Sequence, residues 1–168
     1  MNNGRIIAAR TGTGHIIAIE QDIPPSRPGS VLVEVHNSLV SPGTELGGWH
    51  ALQKRRSNPE PYPTPRPFGY SNAGIVVETG EGVTTFTRGE RVACIGNGYA
   101  QHATYAVVPH NLCTPLPATV SFAQGAYGML AATALHAVRR GTATLGEYIL
   151  VIGLGLVGQL TAQLYQRS

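Results

Sequence analysis

The sequence predicts a mostly β domain with short helices, followed by the first part of an α/β unit. Gly and Pro are plentiful, at 21 and 12 of 168 residues, and short β-rich runs recur between turns, a composition that suits strands joined by turns better than a helical bundle. Near the end, an apolar strand pattern, a glycine turn and an amphipathic helix follow in that order, which is typical of an α/β fold.

The β-rich part divides into several short strands. Residues 5–10 and 15–20 predict a hairpin around Gly14, and a stronger strand begins after Gly29, with alternating apolar residues on one face. Three further runs, at 73–79, 91–95 and 103–108, are each bounded by Gly, Asn or Pro. Short strands at this spacing predict a closed or partly closed barrel.

The pattern becomes helical after residue 120. Ser121 with Gln124 three residues on is a capping-box pattern, and the apolar spacing that follows predicts one or two helices within 121–140. Residues 147–152 return to a buried-strand pattern before the glycine turn. We therefore predict a β domain at 1–120, connecting helices at 121–146 and an incomplete α/β unit at 147–168.

Charge and cysteine content exclude several classes of protein. The net charge is only +3, and the basic residues are scattered apart from short runs such as Lys54 to Arg56, so no nucleic-acid partner is expected. No segment reaches the roughly 20 apolar residues that span a bilayer, so no membrane partner is expected. Cys94 and Cys113 are the only cysteines, which argues against a dense disulfide framework and for a cytoplasmic location.

The glycine turn runs Gly153-Leu154-Gly155-Leu156-Val157-Gly158 and lies between a strand pattern and a helix pattern. In this context the first Gly permits a tight turn, the second lets the backbone approach a pyrophosphate, and the third lets helix and strand pack closely. Amides at the helix start, at Leu156 and Val157, would face the phosphates. NAD and NADP remain alternatives, because the residue that selects between them is expected about 20 residues beyond the glycines.

Several segments resemble the medium-chain dehydrogenase/reductase superfamily, which is alcohol dehydrogenase-like. They are Ser-Pro-Gly-Thr-Glu at 41–45, Phe-Gly-Tyr-Ser-Asn-Ala-Gly at 68–74, the runs at 77–83, 88–92 and 130–135, and the glycine turn. The resemblance implies a mostly β GroES-like barrel with short helices, followed by the first β-α unit of a truncated Rossmann α/β domain. Pro-Gly-Thr-Glu and Gly-Tyr-Ser most resemble the branch of bacteriochlorophyllide dehydrogenase-like proteins. The chain is then expected to be an N-terminal portion of a longer enzyme, and inactive by itself.

The resemblance also implies that zinc is absent. Zinc-binding members have a Cys before Gly-Thr-Asp, a His-Glu pair after the glycine matched by Gly69, and often a Cys in the later helix. The matching residues here are poor zinc ligands: Pro42, Tyr70 with Ser71, and Met129. The cysteine-rich lobe of a structural zinc site is missing as well. His50, His102 and His110 are the other candidate ligands, but isolated histidines are more often surface or hydrogen-bonded core residues.

The resemblance assigns candidate site residues by position. Thr44 matches a hydroxyl that touches the reacting oxygen, although it could instead cap a helix that starts near Glu45. Tyr70 could donate to a substrate oxygen or merely pack. Trp49 and His50 are expected to wall the substrate pocket. Thr133 matches a position near the nicotinamide, with helix packing as the alternative.

The predicted function is therefore that of an NAD(P)-dependent oxidoreductase acting on a carbonyl/alcohol pair without catalytic zinc. Hydroxyl donors would stabilise the negative charge that develops on the oxygen, and a small molecule is the expected substrate. Two alternatives stay open: a quinone or enone reductase of the same superfamily, and a non-enzymatic GroES-like interaction module. A homo-oligomer remains an alternative to a monomer.

Overall fold

The computed structural model describes residues 4–45, 54, 56, 57 and 64–168. Its first sheet has three strands. Strand β1 (Gly4–Arg10) pairs antiparallel with β2 (Ile16–Asp22), which confirms the predicted hairpin. On its other side β1 pairs with the short β4 (Arg66–Pro67).

The second sheet has five antiparallel strands in the order β7-β3-β5-β6-β8. It includes the strands predicted after Gly29 and at 73–79, 91–95 and 103–108. A single 3-10 turn, His110–Leu112, connects the last two strands along the chain. The strands are β3 (Ser30–Ser38), β5 (Ser71–Thr79), β6 (Arg91–Ile95), β7 (Tyr105–Pro109) and β8 (Cys113–Pro115).

One face of the five-stranded sheet forms the hydrophobic core. Val31 and Val33 of β3 face the same side as Val76, Val92 and Val108 of the neighbouring strands, and all five are fully buried. This is the result that period-2 alternation predicts, since successive side chains of a strand point to opposite faces. The core therefore lies well before residue 120.

The predicted barrel is not closed. The outer strands β7 and β8 do not pair with each other in the described part of the chain. Instead, the two sheets are connected through an isolated bridge between Ile7 and Ala103. Hydrogen bonds on either side support it, from the Ala8 amide to the His102 carbonyl at 2.8 Å and from the Thr104 amide to the Ile6 carbonyl at 2.9 Å. Closure requires a continuous ladder between the outer strands, and β8 is a three-residue strand that ends in a proline without an amide donor.

The helices agree with the predicted capping pattern. The Gln124 amide donates to Ser121 Oγ at 3.2 Å, and the Ser121 amide donates to Gln124 Oε1 at 2.9 Å, which completes a capping box. The segment predicted to be helical, 121–140, forms two helices, the second of which extends to Gly141. The helices whose bounds lie within the described ranges are α1 (Pro42–Glu45), α2 (Phe122–Gly125), α3 (Gly128–Gly141) and α4 (Leu156–Tyr165). None in the described ranges is long and apolar enough to cross a bilayer.

The strand predicted at 147–152 does not form. Tyr148, Leu150 and Ile152 are 102%, 83% and 89% exposed, and the segment pairs with no described strand. A parallel strand of an α/β sheet obtains its hydrogen bonds and its cover from neighbouring strands, which the described residues do not provide. The helix after the glycine turn does form. It packs on α3, where Tyr165 Oη lies 3.5 Å from the Val138 carbonyl oxygen.

Candidate active site

A cleft of about 1020 Å³ lies between the β domain, α3 and the start of α4. Its volume is at the upper end of the range for small-molecule sites, about 300–1,000 Å³. Thr44, Tyr70 and Thr133, which are far apart in the sequence, all line it. The glycine turn lines the same cleft through Gly153, Gly155, Leu156, Val157 and Gly158. The cleft thus brings together the predicted hydroxyls and the predicted phosphate-binding turn.

Thr44 lies within α1 and does not cap it. The Ser41 carbonyl accepts hydrogen bonds from the Thr44 amide at 3.2 Å and the Glu45 amide at 2.8 Å, so the helical turn begins at Pro42. Proline suits the first helical position, because its fixed φ is already helical. The capping alternative for Thr44 is therefore wrong. Its hydroxyl is exposed at the cleft and bonds to no residue in the described part of the chain.

A buried hydrogen-bond network holds α1 against the β domain. Glu45 Oε2 accepts from the Ser41 amide at 2.7 Å, and Glu45 Oε1 lies 2.9 Å from His102 Nε2. The other ring nitrogen of His102 lies 2.9 Å from Ser38 Oγ at the end of β3. Both ring nitrogens of His102 are thus occupied by side chains rather than being free for a metal. No local sequence pattern could reveal this pair, since the two residues are 57 positions apart.

Tyr70 reaches the cleft because Gly69 allows an unusual backbone. Gly69 has φ +118°, and a Cβ there would lie 2.5 Å from the His102 amide nitrogen, so only glycine fits. The Tyr70 carbonyl accepts from the Gly96 amide at 3.0 Å, which fixes the backbone on the other side. The Tyr70 side chain is half-buried at the cleft, and its phenol has no hydrogen-bond partner among the described residues.

The residues matched to zinc ligands lie mostly at one place. Pro42, Tyr70 and Met129 all line the cleft. Ser71 instead turns towards the helices, where its Oγ donates to the Ala126 carbonyl at 2.7 Å and accepts from the Met129 amide at 3.2 Å. The described residues contain no group of three or more His, Cys, Asp or Glu side chains that could hold a metal ion. The absence of zinc stays a prediction.

Arg10 is a cleft residue that the sequence analysis did not single out. Its Nη2 donates to the Glu45 carbonyl at 2.8 Å, and its guanidinium lies over the Phe68 ring, 5.6 Å from the centroid. Its buried Nε has no partner in the part of the chain that the structure describes. The Glu45 carboxylate is engaged by Ser41 and His102, so the cation next to Thr44 is not neutralised by it. Such a donor favours an anionic or strongly polarised group in the cleft.

The glycine turn fits a bound pyrophosphate. Gly153 has φ +95°, and a Cβ on Gly158 would lie 1.9 Å from the Gly153 carbonyl oxygen, so both positions need glycine. A Cβ on Gly155 would meet nothing within 4 Å, which leaves open space in front of the helix. No side chain caps the start of α4, and its first amides remain available at the cleft. Uncapped amides and the helix dipole favour an anion at this end.

The three remaining predicted site residues have different outcomes. Thr133 Oγ1 donates to the Met129 carbonyl at 3.0 Å within α3, so its proton is committed to the helix while its oxygen can still accept. Trp49 and His50 lie outside the described residues.

The fold and the cleft define an alcohol dehydrogenase-like protein, in which a mostly β domain meets a glycine turn across a cleft. Residues 27–118 match the family model of the alcohol dehydrogenase GroES-like domain. The chain therefore belongs to this family, and with it to the medium-chain dehydrogenase/reductase superfamily.

Named relatives support this assignment. The chain is 34% identical over 158 residues to a quinone oxidoreductase of Rattus norvegicus, covering 91% of this chain and 46% of the relative. It is 29% identical over 178 residues to a sorbitol dehydrogenase of Mus musculus, covering 89% and 48%. A structure from Sinorhizobium meliloti, described as a candidate zinc-binding dehydrogenase bound to NADP, superposes with a TM-score of 0.79 at 24% identity, covering 98% of this chain and 53% of that one. The chain thus spans about half the length of these proteins. They leave the bacteriochlorophyllide dehydrogenase-like branch as a prediction.

Proposed function

We propose that this chain is the N-terminal portion of an NAD(P)-dependent oxidoreductase that acts on a small carbonyl or alcohol without catalytic zinc. The observation on which this rests is the shared cleft, which Thr44 and Tyr70 line together with the uncapped start of α4. The hydroxyls of both residues have no hydrogen-bond partner among the described residues. The Rattus and Mus relatives are named as oxidoreductases. In this proposal residues 147–168 begin the nucleotide-binding domain.

The residues of the glycine turn would hold the cofactor. Gly155, Leu156, Val157 and Gly158 would contact the pyrophosphate through backbone amides, and Gly153 would keep the turn tight. When bound, a nicotinamide supplies or accepts the hydride. Thr133 lies across the cleft as an acceptor for a polar group.

The hydroxyls of Thr44 and Tyr70 would act on the substrate oxygen. Each can donate a hydrogen bond to an oxygen that gains negative charge, and neither is engaged by a described residue. Arg10 adds a positive charge next to Thr44, and Phe68 with Met129 and Leu130 supplies apolar surface that limits water. Donors fixed beside such an apolar surface stabilise developing charge better than mobile water molecules do.

A quinone reductase is the second candidate. The 34% identity to the Rattus quinone oxidoreductase favours it. Arg10, whose charge forms no ion pair with a carboxylate of the described residues, suits the anionic oxygen of a reduced quinone. The two candidates differ in substrate and not in cofactor. A panel of carbonyl compounds and quinones, assayed with NADH and NADPH on the full-length gene product, separates them. No oxidation of either cofactor with any acceptor would contradict both enzymatic proposals and favour the interaction module.

Cofactor binding is tested directly by substitutions in the turn. Gly155 has ordinary backbone angles and open space around it, so Gly155→Val should fold normally and block the pyrophosphate. We expect the full-length Gly155→Val variant to bind NAD(P)H at least tenfold more weakly than the unsubstituted protein, as measured by nucleotide fluorescence. Gly4→Val is the matched control. Gly4 is the first residue of β1, and a Cβ there would meet only the Gln21 carbonyl oxygen, at 3.7 Å. Equal affinity in both variants would remove the turn from the binding site.

A further inference from the structure

The two cysteines of the chain lie directly opposite each other in the five-stranded sheet. Cys94 of β6 and Cys113 of β8 are register partners, and their Sγ atoms are 3.6 Å apart. Both are free thiols. Nothing in the proposed oxidoreductase chemistry uses them, and neither lines the cleft.

The register places this pair where two strands approach most closely. The Leu116 amide donates to the Arg91 carbonyl at 2.8 Å, which makes these two residues a hydrogen-bonded pair at the end of the ladder. Paired positions alternate between hydrogen-bonded and non-hydrogen-bonded types. Ala93 with Thr114 is then the next hydrogen-bonded pair, and Cys94 with Cys113 is a non-hydrogen-bonded pair. Pro115, which has no amide, occupies a non-hydrogen-bonded position in the same pattern.

Non-hydrogen-bonded pairs have Cα atoms about 4.5 Å apart, which lies within the 4.4–6.8 Å range of disulfide-bonded cysteines. The sulfur atoms are 3.6 Å apart and must approach to about 2.05 Å. Side-chain rotation can supply this movement, so the backbone of β6 and β8 already suits the bond.

The surroundings give the two thiols different access to solvent. Cys94 is fully buried in the core cluster, whereas Cys113 is half-buried on β8, the outer strand of the sheet. The Cys113 Sγ also lies 3.5 Å from the Pro109 carbonyl oxygen. An oxidant from solvent therefore reaches Cys113 before Cys94.

We propose that Cys94 and Cys113 form a reversible disulfide within one chain when a peroxide acts as oxidant. The Cys113 sulfur attacks one peroxide oxygen, the O–O bond breaks, and a sulfenic acid and one water form. The Cys94 sulfur then attacks the Cys113 sulfur, the S–O bond breaks, and the Cys94 proton leaves with the hydroxyl group as a second water. Both sulfurs are oxidised by one electron each, and the two peroxide oxygens are reduced. A dithiol reverses the reaction by exchange.

The ionisation of Cys94 agrees with this order. Its hydrogen bond with Cys113, its burial and repulsion from a Cys113 thiolate raise the pKa of Cys94 well above its ordinary value. A buried thiol with a raised pKa reacts slowly with peroxide from solvent, since the thiolate is the nucleophile. Cys94 is thus a poor first site for peroxide, whereas its Sγ, 3.6 Å from Cys113 Sγ, is close enough to resolve a sulfenic acid there.

The bond would link the outer strand β8 covalently to β6, next to the segment that leads to the helices of the cleft. The Leu116 side chain, directly after β8, packs against Gly125 of α2. Beyond α2, Met129 and Leu130 of α3 line the cleft. Oxidation would therefore fasten the segment that leads into one wall of the cleft, and we expect it to raise the midpoint of thermal unfolding.

The test treats the reduced 168-residue chain with hydrogen peroxide and maps the product by mass spectrometry without reductant. Trypsin cannot separate the cysteines, because no Lys or Arg lies between Arg91 and Arg139, so chymotrypsin is used to cut after Tyr99 and Tyr105. The expected result is a linked pair of peptides containing Cys94 and Cys113, lighter by two hydrogen atoms and separable by dithiothreitol. Oxygen adducts on unlinked cysteine peptides, a covalent dimer, or two unreacted thiols under excess peroxide would each overturn the proposal.

Two variants test the order of oxidation. In Cys94→Ser the Cys113 sulfenic acid has no resolving thiol, so we expect it to accumulate and to be trapped by dimedone. In Cys113→Ser we expect Cys94 to keep its thiol under the same treatment. A dimedone adduct on Cys94 in that variant would contradict the assignment of Cys113 as the first site. Peptide mapping of the unsubstituted chain remains decisive even where a variant folds poorly.

Discussion

Glu45 and His102 form a buried pair that fixes the helical turn bearing Thr44, with Glu45 Oε1 2.9 Å from His102 Nε2. The carboxylate also accepts from the Ser41 amide at the start of this turn, and His102 contacts Ser38 on β3. The side chains of the pair therefore connect α1 to β3 of the second sheet, and the His102 carbonyl accepts from the Ala8 amide of the first sheet at 2.8 Å. Its removal should affect both stability and the position of Thr44.

His102→Ala is expected to lower the free energy of unfolding by about 3 kcal/mol, because it leaves the buried Glu45 carboxylate without its partner. Denaturant unfolding of the purified chain measures this. His136→Ala is the matched control, since His136 is exposed on α3 and its replacement should change stability by less than about 0.5 kcal/mol. Equal effects of the two substitutions would contradict a structural role for the Glu45–His102 pair.

Thr44→Val and Tyr70→Phe are expected to lower turnover of the full-length enzyme more than its cofactor affinity. Loss of one well-placed donor costs about 10²-fold in rate, and both hydroxyls face the cleft without a described partner. Steady-state kinetics on the substrate found in the acceptor panel, together with NAD(P)H binding, separates the two effects. Unchanged turnover in both variants would mean that Thr44 and Tyr70 pack in the cleft and do not act on the substrate.

The purified, dialysed protein is expected to contain no stoichiometric zinc. The residues at the matched ligand positions in the cleft, Pro42, Tyr70 and Met129, offer no thiolate or imidazole. Elemental analysis by mass spectrometry measures the metal content per chain. One zinc per chain, retained after dialysis against a chelator, would disprove this prediction.

The stability of the reduced protein is expected to fall at alkaline pH because of Cys94. The pKa of Cys94 is raised in the folded chain by its hydrogen bond with Cys113 and by burial, so the unfolded chain loses this proton first as pH rises. The contribution of the Cys94 proton to the free energy of unfolding is complete below the pKa of the unfolded thiol, about 8.5. Above that pH the contribution decreases, by at most about 1.4 kcal/mol per pH unit. In Cys94→Ala the free energy of unfolding should decrease less between pH 8 and 10, because the Cys94 contribution is absent. A parallel pH profile in the variant would contradict the raised pKa.

Backbone amides at 148–152 are expected to exchange quickly with solvent, because this segment pairs with no described strand and its side chains are largely exposed. Amides of β3 and β5, in the centre of the five-stranded sheet, should exchange far more slowly. Hydrogen exchange on the 168-residue chain, with its oligomeric state measured in parallel, provides both rates. Strong protection of 148–152 in a monomer would mean that the rest of the chain stabilises this segment by itself.

The sequence by itself determined the local elements whose signals are local. Alternating valines located β3, the Ser121–Gln124 spacing located the start of α2, and the glycine pattern located the start of α4. The resemblance to a family then named Thr44, Tyr70 and the glycine turn as members of one site, and the cleft brings them together. The predictions of these local elements are confirmed because strand alternation, capping and glycine conformations depend on neighbouring residues along the chain. The functional roles of Thr44, Tyr70 and the glycine turn stay predictions.

Only the tertiary structure decided the features that depend on residues distant in sequence. The sequence could not show that the barrel stays open, that 147–152 lacks partner strands, or that Arg10 enters the cleft. It also could not pair Glu45 with His102 or Cys94 with Cys113. Whether a strand forms depends on ladder hydrogen bonds with another strand, and the role of a polar side chain depends on which partner the fold places within about 3 Å. Those partners are set by packing and register, which no local pattern encodes.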